Sequence, residues 1–493
     1  MMRSICGVLT LFTLASSVSA AELEFHLRFP ASKRAEPFTG RVYVMLMAAD
    51  MKQLVGGPNW FRPEPFFAID VKDVKPGQTM VIDKKALGYP ATLDKLRKGT
   101  YTIQGVIDFR PNAATFSRAP GNLYGIKRQA LDFANTGVVE LTLDQVVPER
   151  PFEETERVKL VDIESKLLTK FNGRPTRLRA GIALPESYAE EREKSYPVVY
   201  EIPGFGGDHF MAFPAILRGN TGLDGLDVIH VVLDPNCHHG HHVFADSANN
   251  GPCGKALIEE LIPAIEKRFR AIPKPAARLL TGHSSGGWSS LWLQVTYPDF
   301  FGGVWSTAPD PVDFRDFQRI DLYRAGENMF VDAKGMKRPI ARRGTEPVLF
   351  VKPFSDMEVV MGHGGQLASF EAVFSERGDD GYPKRLWDRK TGAVDSEVAK
   401  SWEKYDIRLV LERNWKTLGP KVRGKIHVYM GDLDTFYLEG ATRLLGASLK
   451  KLGSDAVVQL FAGKDHGSLM ERAMRQRIAK EMASTLRAAK VGD

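Results

Sequence analysis

Residues 278–287 read RLLTGHSSGG, and this stretch decides the fold. Its apolar start is typical of a buried strand, and the pattern Gly-x-Ser-x-Gly around Ser284 is typical of a tight turn that leads from a strand into a helix. Gly282 and Gly286 carry no side chain that would clash in such a bend. Because residues 288–295 can continue as a helix, the context favours a reactive serine over a surface turn without chemistry.

A reactive serine needs two partners. Its hydroxyl is a weak nucleophile at neutral pH, so a base must take its proton and an acid must orient that base. In folds with this turn the chain order is serine, acid, histidine. His466 follows the last predicted strand and precedes a helix, where a loop can reach over Ser284, so His466 is the predicted base. His427 lies inside a predicted strand and His363 lies between glycines of a long insertion, and both are expected to have other roles.

Two carboxylates compete for the acid position in GDLD at 431–434. Asp434 comes three residues after the glycine, where a chain that leaves a strand can turn its side chain back towards the histidine loop. Asp432 can instead cap the turn or the following helix. Asp434 is therefore the predicted acid, and Asp465 and Asp356 are weaker candidates. The predicted catalytic residues are Ser284, Asp434 and His466.

Attack by the serine on a carbonyl carbon would produce an oxyanion, which needs preorganised N–H donors. One donor is expected from the backbone of Ser285. The other is expected from the loop 203–207, which reads PGFGG after a predicted strand and has the bare backbone that this role requires. Phe205 or Gly206 would supply this second N–H, and an ordinary glycine turn is the alternative.

Residues 237–242 read CHHGHH, the most unusual local composition of the chain. Four histidines in five positions could bind a transition metal. Beyond Cys237, however, no acidic or thiolate ligand spacing accompanies them, so we predict no metal site. We expect instead a loop at the rim of the pocket. The residues expected to contact substrate are His238, His239, His241, His242 and, from the insertion, His363.

After residue 151, strands alternate with helices, which predicts an α/β domain over 152–490 with a mostly parallel sheet and helices on both faces. The predicted strands are 178–184, 196–202, 228–233, 278–281, 302–307, 425–430 and 457–461. A stripe of apolar residues over 257–269 predicts a core helix that Pro263 bends. Residues 311–420 are rich in charged and aromatic side chains and lack a regular alternation. We predict that they form an insertion, a lid or substrate wall over the carboxyl edge of the sheet.

The first part of the chain has a different pattern of apolar and polar residues. Short alternating strands are predicted at 23–29, 41–47, 66–74, 100–107 and 138–143, separated by turns. This pattern predicts an antiparallel β-sandwich over 21–147, followed by a linker at 148–151. A chain of 493 residues is long enough for two such domains.

The first twenty residues predict an export signal: Arg3, an apolar run at 8–15 and the small residues Val18, Ser19 and Ala20. Cleavage after Ala20 would send the protein to the periplasm or the medium. An uncleaved anchor is disfavoured because the run is too short to cross a hydrocarbon core of ~30 Å. The net charge of +7 is spread without a long basic block, so no nucleic-acid partner is predicted.

Two cysteines remain once the predicted signal is removed, Cys237 and Cys253. In an oxidising compartment an even pair favours a disulfide, and two unpaired thiols are the alternative.

Together these residues resemble the putative esterase family of α/β-hydrolases, which includes esterase D and the feruloyl, acetyl-xylan and enterochelin esterases. The resemblance is carried by YPVVY at 196–200, PGFGG at 203–207, FADS at 244–247, GHSSGG at 282–287, Asp434 and His466. It covers about 167–489, interrupted by the insertion. It implies an α/β-hydrolase fold, hydrolysis of carboxylic esters and no cofactor. Enterochelin esterases likewise place a β-rich module before the hydrolase.

We therefore expect a serine esterase that forms an acyl-enzyme on Ser284 and acts on a small-molecule or carbohydrate-linked ester. An acyltransferase that uses the same three residues, a peptidase of the same fold, and a non-catalytic ligand-binding protein remain alternatives. No later segment is predicted to span a membrane, and the sequence leaves the oligomeric state open.

Overall fold

The computed structural model describes residues 22–54, 56–109, 115–117 and 119–491. The predicted export signal, 1–20, lies outside the described residues. Three sheets dominate the described part of the chain, with eight, six and three strands. No helix within these ranges is long and apolar enough to cross a membrane.

The eight-stranded sheet carries the predicted reactive turn. Its first three strands pair antiparallel, and all later neighbours pair parallel. In spatial order the strands are Val158–Glu164, Arg177–Ala183, Ile229–Leu233, Val198–Ile202, Arg278–His283, Gly303–Thr307, Ile426–Gly431 and Val457–Phe461. The exchange of strands 198–202 and 229–233 relative to the chain order brings the carboxyl end of Val198–Ile202 beside that of Arg278–His283.

Helices cover both faces of this sheet. Successive residues of a strand point to opposite sides, so neighbouring residues pack against different helices. Leu280 belongs to the core that includes residues of helix Ser285–Thr296, whereas its neighbour Leu279 belongs to the core of helix Arg472–Ala488. The predicted α/β class is confirmed. The first strand of the sheet, Val158–Glu164, was not predicted, because its sequence VKLVDIE mixes charged and apolar residues.

The remaining helices of this part are Lys166–Asn172, Ser187–Glu190, Ala212–Leu217, Cys253–Ala256, Ile262–Arg268, Ile407–Val422 and Glu439–Lys451. Short 3₁₀ helices lie at Leu93–Lys95, His209–Met211, Pro275–Ala277, Phe314–Asp316, Trp402–Tyr405 and Ser468–Met470. The predicted core helix begins at Cys253 and contains a π-helical segment, Leu257–Leu261, directly before Pro263. Because proline has no N–H, it interrupts the regular ladder at this point.

The predicted insertion has more regular structure than expected. It contains strands Pro339–Arg343 and Glu346–Phe350 and helices Val351–Met361, Gln366–Phe374 and Ser396–Ser401. Its predicted end at Pro420 is wrong, because Pro420 lies inside helix Ile407–Val422. That helix packs against helix Ser285–Thr296 and leads into the next strand of the main sheet.

The N-terminal part forms the other two sheets. The six-stranded sheet is antiparallel and contains, in spatial order, Leu87–Tyr89, Phe66–Val74, Phe38–Met47, Gly99–Ile107, Leu123–Leu131 and Gln145–Val146. The three-stranded sheet contains Met80–Ile82, Glu24–Arg28 and Val138–Thr142. Its last two strands pair parallel, which departs from the wholly antiparallel prediction.

Strand Phe38–Met47 is buried on both faces over its apolar end. Val42 and Val44 pack in a core with the three-stranded sheet, whereas Tyr43 and Met45 belong to the main core that also contains residues of the eight-stranded sheet. Because alternate side chains point to opposite faces, one strand contributes to two cores. The N-terminal part therefore packs its second apolar face against the rest of the molecule.

Candidate active site

Ser284 lies at a strained turn between strand Arg278–His283 and helix Ser285–Thr296. Its φ of 59° and ψ of −127° are unusual for a residue with a side chain. A Cβ atom on Gly282 would collide with the backbone of Gly286, and one on Gly286 would collide with the carbonyl oxygen of Ile202. The two glycines therefore allow the turn to press against the neighbouring strand.

The structure brings His466 and Asp434 together. His466 Nδ1 lies 2.7 Å from Asp434 Oδ2, and the other oxygen of Asp434 accepts the backbone N–H of Phe436 at 2.8 Å. The rival carboxylate Asp432 instead accepts the N–H of Gly463 at 2.8 Å. With its Nδ1–H donated to a fully buried carboxylate, His466 keeps Nε2 available to accept a proton.

The electrostatic surroundings of His466 favour its protonated form. Burial lowers the pKa of this imidazole, but the charge and hydrogen bond of Asp434 outweigh burial, and the charges of Asp310 and Asp465 add to them. The pKa of His466 is therefore raised above its ordinary value, as a group that must receive a proton during a reaction requires.

Ser284 and His466 line the same cavity of about 300 Å³. The His283 ring, next to the serine, has its centroid 4.5 Å from that of His466. Within the described residues, no hydrogen bond joins the Ser284 hydroxyl to the His466 ring. Such bonds are often long in ligand-free enzymes and tighten when substrate binds.

The predicted oxyanion loop runs past the serine. A Cβ atom on Gly204 would lie 3.3 Å from Ser284 Cβ, so only glycine allows this approach without a shift. Phe205 lines the cavity. Ser285 is the first residue of its helix, so its N–H has no carbonyl partner within the helix and the positive end of the helix dipole points towards the serine.

The histidine-rich loop and the residue before it form hydrogen bonds with this oxyanion loop. His241 is buried, and its Nε2 donates to the carbonyl oxygen of Pro203 at 2.9 Å while its Nδ1 accepts the N–H of Val243 at 3.1 Å. Asn236 donates through Nδ2 to the carbonyl oxygen of Gly207 at 2.8 Å. Both ends of the loop 203–207 are thus tied to one neighbouring segment.

The structure corrects the prediction that five histidines contact substrate. In the described part of the chain, none of His238, His239, His241, His242 and His363 lines the cavity of Ser284. Burial lowers the pKa of His238 and His242 to about 3 and that of His239 and His241 to about 4, which keeps these rings neutral. His241 and His242 are buried, whereas His238 and His239 are partly exposed, so the two halves of the loop differ in their access to solvent.

The predicted disulfide is absent, and both cysteines are free thiols. Cys237 Sγ lies 3.6 Å from the side-chain oxygen of Asn250, and Cys253 Sγ lies 3.2 Å from the backbone oxygen of the same residue. Burial raises the pKa of Cys237 to about 12 and also raises that of Cys253, so both thiols stay protonated.

Several residues that line the cavity were not predicted from the sequence, among them Asp310, Gln366 and Trp60. Asp310 Oδ2 accepts the hydroxyl of Ser285 at 2.6 Å, and burial raises the pKa of Asp310 to about 6. A signal for Asp310 was present: it follows strand Gly303–Thr307, beside the serine strand, at the carboxyl edge where ligands bind. No pattern in the sequence pointed to Trp60, which belongs to the N-terminal part.

Across the described ranges no group of three or more His, Cys, Asp or Glu side chains is arranged to hold a metal ion. The cavity combines a hydroxyl at a strained turn, a carboxylate-bound imidazole and a helix N-terminus beside the serine. This combination can perform nucleophilic attack on a carbonyl group and stabilise the negative charge that results.

A model of the family described as "Putative esterase" matches residues 173–457, more than half of the chain. Among solved structures, a ferulic acid esterase is 14% identical, with a TM-score of 0.41, over 67% of this chain and 99% of that one. An S-formylglutathione hydrolase from Agrobacterium tumefaciens is 15% identical, with a TM-score of 0.41, over 67% and 95%. The fluorophosphonate-binding serine hydrolase F of Staphylococcus aureus is 12% identical, with a TM-score of 0.38, over 66% and 97%.

Proposed function

The chain belongs to the "Putative esterase" family and is a carboxylic ester hydrolase, and we propose that it cleaves its substrate through an acyl-enzyme on Ser284. One observation above all supports this chemistry: the ring of His466 is hydrogen-bonded to buried Asp434 and lines the same cavity as Ser284. The substrate expected from the sequence, a small-molecule or carbohydrate-linked ester, belongs to the same proposal.

In the first half of the reaction, His466 Nε2 takes the proton of the Ser284 hydroxyl as its oxygen attacks the ester carbonyl carbon. Asp434 stabilises the imidazolium that forms. The N–H of Ser285 and that of Phe205 or Gly206 bind the oxyanion. When the tetrahedral intermediate collapses, His466 gives its proton to the departing alcohol and the acyl group stays on the serine.

In the second half, water replaces the alcohol. His466 deprotonates the water as it attacks the acyl carbonyl carbon, and the same donors bind the second oxyanion. The carboxylic acid leaves, and the proton returns from His466 to the Ser284 oxygen. An added alcohol in place of water would make the reaction an acyl transfer, so product analysis with and without alcohol separates the two reactions.

Labelling with a fluorophosphonate probe tests the nucleophile, because the probe forms a covalent bond with an activated serine. We expect intact-mass measurement to show one adduct on the wild type and none on Ser284→Ala. Ser290→Ala is a matched control, because Ser290 lies on the same helix, bonds to the Gly287 carbonyl and does not line the cavity. An unlabelled wild type would contradict the proposed chemistry, and labelling of Ser284→Ala would show that another residue is the nucleophile.

We further propose that the protein is exported and that residues 21–147 form a β-sandwich module. Export is supported by the basic, apolar and small-residue order of residues 1–20. The module is supported by the core that the six- and three-stranded sheets share. N-terminal sequencing of protein recovered from the periplasm and medium should begin at Ala21, and an uncleaved Met1 there would contradict cleavage.

A further inference from the structure

The loop 48–65, between strands Phe38–Met47 and Phe66–Val74, extends from the N-terminal part to the cavity of Ser284. It places the Trp60 side chain in the lining of that cavity. We propose that Trp60 determines the substrate specificity of the enzyme, an inference that rests on the ester hydrolysis proposed above. Its indole sets the size of the apolar group of the ester that can bind beside Ser284.

Trp60 touches three aromatic rings, and each belongs to a different part of the site. Its ring centroid lies 5.8 Å from that of Phe205 in the oxyanion loop, 5.0 Å from that of Phe354 in the insertion and 6.2 Å from that of Phe436 beyond the acid. Phe436 in turn meets the edge of His466 at 5.0 Å. The indole therefore lies where the oxyanion loop, the insertion and the acid loop converge.

The N-terminal part is held in place by the same helix that carries Phe354, Val351–Met361. Arg41 Nη1 donates to the carbonyl oxygens of Val359 and Val360 at 2.8 and 3.1 Å. These carbonyl groups belong to the last turn of the helix, where no N–H within the helix can satisfy them, and a cation is favoured at that end. Arg41 therefore ties the N-terminal part, which carries Trp60, to the helix that carries Phe354.

The hydrogen bonds between the N-terminal part and residues 359–363 form a polar seam, and two further contacts belong to it. The hydroxyl of Tyr43 donates to the carbonyl oxygen of Met361 at 2.6 Å. His363 Nε2 lies 2.6 Å from Asp108 Oδ2, and its Nδ1 lies 3.1 Å from the carbonyl oxygen of His238. The histidine that the sequence assigned to substrate thus joins the N-terminal part to the insertion and to the histidine-rich loop.

The lining explains which chemical group fits. Much of the lining is apolar and is formed by Trp60, Phe205, Ile340, Leu349, Phe354 and Phe370. The polar side chains of the lining include Asp310 and Gln366, and these two are joined through Ser285 close to the nucleophile. A charged group among the aromatic rings would lose its hydration without gaining a partner. The cavity therefore selects esters with a compact uncharged apolar group on one side of the scissile bond.

The test uses the full chain and two ester series. In one, p-nitrophenol stays constant and the acyl chain grows from acetate to butyrate to octanoate. In the other, acetate stays constant and the alcohol grows from methyl to butyl to octyl. We expect Trp60→Ala to raise the ratio of kcat/KM for the longest over the shortest ester by roughly tenfold in one series, because pocket contacts of a few methylenes discriminate by that order. Trp60→Phe should fall between wild type and Trp60→Ala.

Phe61→Ala is the matched control, because Phe61 is the adjacent aromatic residue and is 44% exposed. It does not belong to the described lining of the cavity, so its ratios should equal those of the wild type. Thermal unfolding of each variant shows whether the fold is retained. Unchanged ratios in folded Trp60→Ala, or an equal loss of kcat/KM for every ester, would overturn the role of Trp60. A wild type that hydrolyses none of the esters and takes up no fluorophosphonate would instead count against the proposed function.

Discussion

Of the carboxylates whose charges act on the His466 imidazole, Asp434 and Asp310 act in different ways. Asp434 bonds the ring at Nδ1, whereas Asp310 bonds the hydroxyl of Ser285 and acts on the ring through its charge. Against the effect of burial, both charges raise the pKa of His466. Because the base must be neutral to accept the serine proton, activity should rise with pH as His466 loses its proton.

Asp434→Asn tests the first carboxylate. We expect kcat to fall by roughly 10⁴-fold, because an amide can stabilise neither the required tautomer nor the imidazolium. Steady-state kinetics on p-nitrophenyl acetate measures the loss. Asp432→Asn is the control, because the Asp432 side chain accepts the N–H of Gly463, a bond that the amide oxygen can keep, and this variant is expected to retain most of the activity. An Asp434→Asn enzyme close to wild-type activity would show that another group orients the base.

Asp310→Asn tests the second carboxylate through the pH profile. The Asp310 charge raises the pKa of His466, so its removal should move the acidic limb of kcat/KM to lower pH. Burial raises the pKa of Asp310 itself to about 6, so below that pH Asp310 is protonated and the two enzymes should converge. The amide oxygen introduced by the substitution can still accept the Ser285 hydroxyl, so the change removes the charge and keeps the hydrogen bond.

Asp356→Asn is the control for this profile, because Asp356 is half-exposed and paired with Lys352. It should leave the limb unchanged. An acidic limb that stays in place or moves to higher pH in Asp310→Asn would contradict the electrostatic role of Asp310.

At the scale of elements, the oxyanion loop depends on its neighbours. Residues 234–242 tie both of its ends through Asn236 and His241. The insertion supports the acid loop in a similar way: Arg342 donates its backbone N–H to the carbonyl oxygen of Thr435 at 2.8 Å and its Nε–H to that of Asp434 at 2.9 Å. The loops that carry the site are therefore held by the side chains of Asn236, His241 and Arg342, which do not belong to the described lining of the cavity.

His241→Leu tests this support. Loss of the bond to Pro203 should let the oxyanion loop move, so we expect kcat to fall by roughly tenfold or more with little change in KM, because oxyanion donors act mainly in the transition state. His241→Gln keeps a donor near the Pro203 carbonyl and should recover much of the loss. His239→Gln controls for changes in the same loop. Equal kcat values for His241→Leu and wild type would show that the bond does not position the loop.

At the scale of the whole molecule, the N-terminal part and the catalytic part share one core. Tyr43, Met45 and Phe66 of the six-stranded sheet pack in the same cluster as the strands of the catalytic sheet. The polar seam at the end of helix Val351–Met361 surrounds this apolar contact. The two parts are thus expected to depend on each other for stability.

Arg41→Met tests the seam. The substitution keeps the apolar stem but leaves the carbonyl groups of Val359 and Val360 without their donor, which should lower the free energy of unfolding by about 2 kcal/mol. Urea unfolding followed by fluorescence measures the change. Arg28→Met is the control, because its ion pair with Glu140 is exposed and should contribute less than about 1 kcal/mol. Equal stability of Arg41→Met and wild type would contradict a stabilising role of this contact.

Local patterns in the sequence determined the elements that position the site. The apolar run before Ser284 and the glycines around it define the strand, the turn and the helix, because backbone conformation depends on near neighbours. The order of later strands placed Asp434 and His466 in loops at the same edge of the sheet, and the structure brings them within 2.7 Å. These features follow from short-range sterics and from the period of buried residues along a strand.

Only the tertiary structure decided what surrounds these residues. It kept the histidine-rich loop out of the described cavity lining, left Cys237 and Cys253 unbridged, set Asp310 against Ser285 and brought Trp60 into the cavity from a distant part of the chain. It also packed the second face of the six-stranded sheet against the core of the eight-stranded sheet. The apolar residues of a strand predict that a face is buried, but they do not predict which segment covers it. Such contacts arise when apolar faces and unsatisfied polar groups of distant segments meet on folding, and no local pattern encodes which segments those will be.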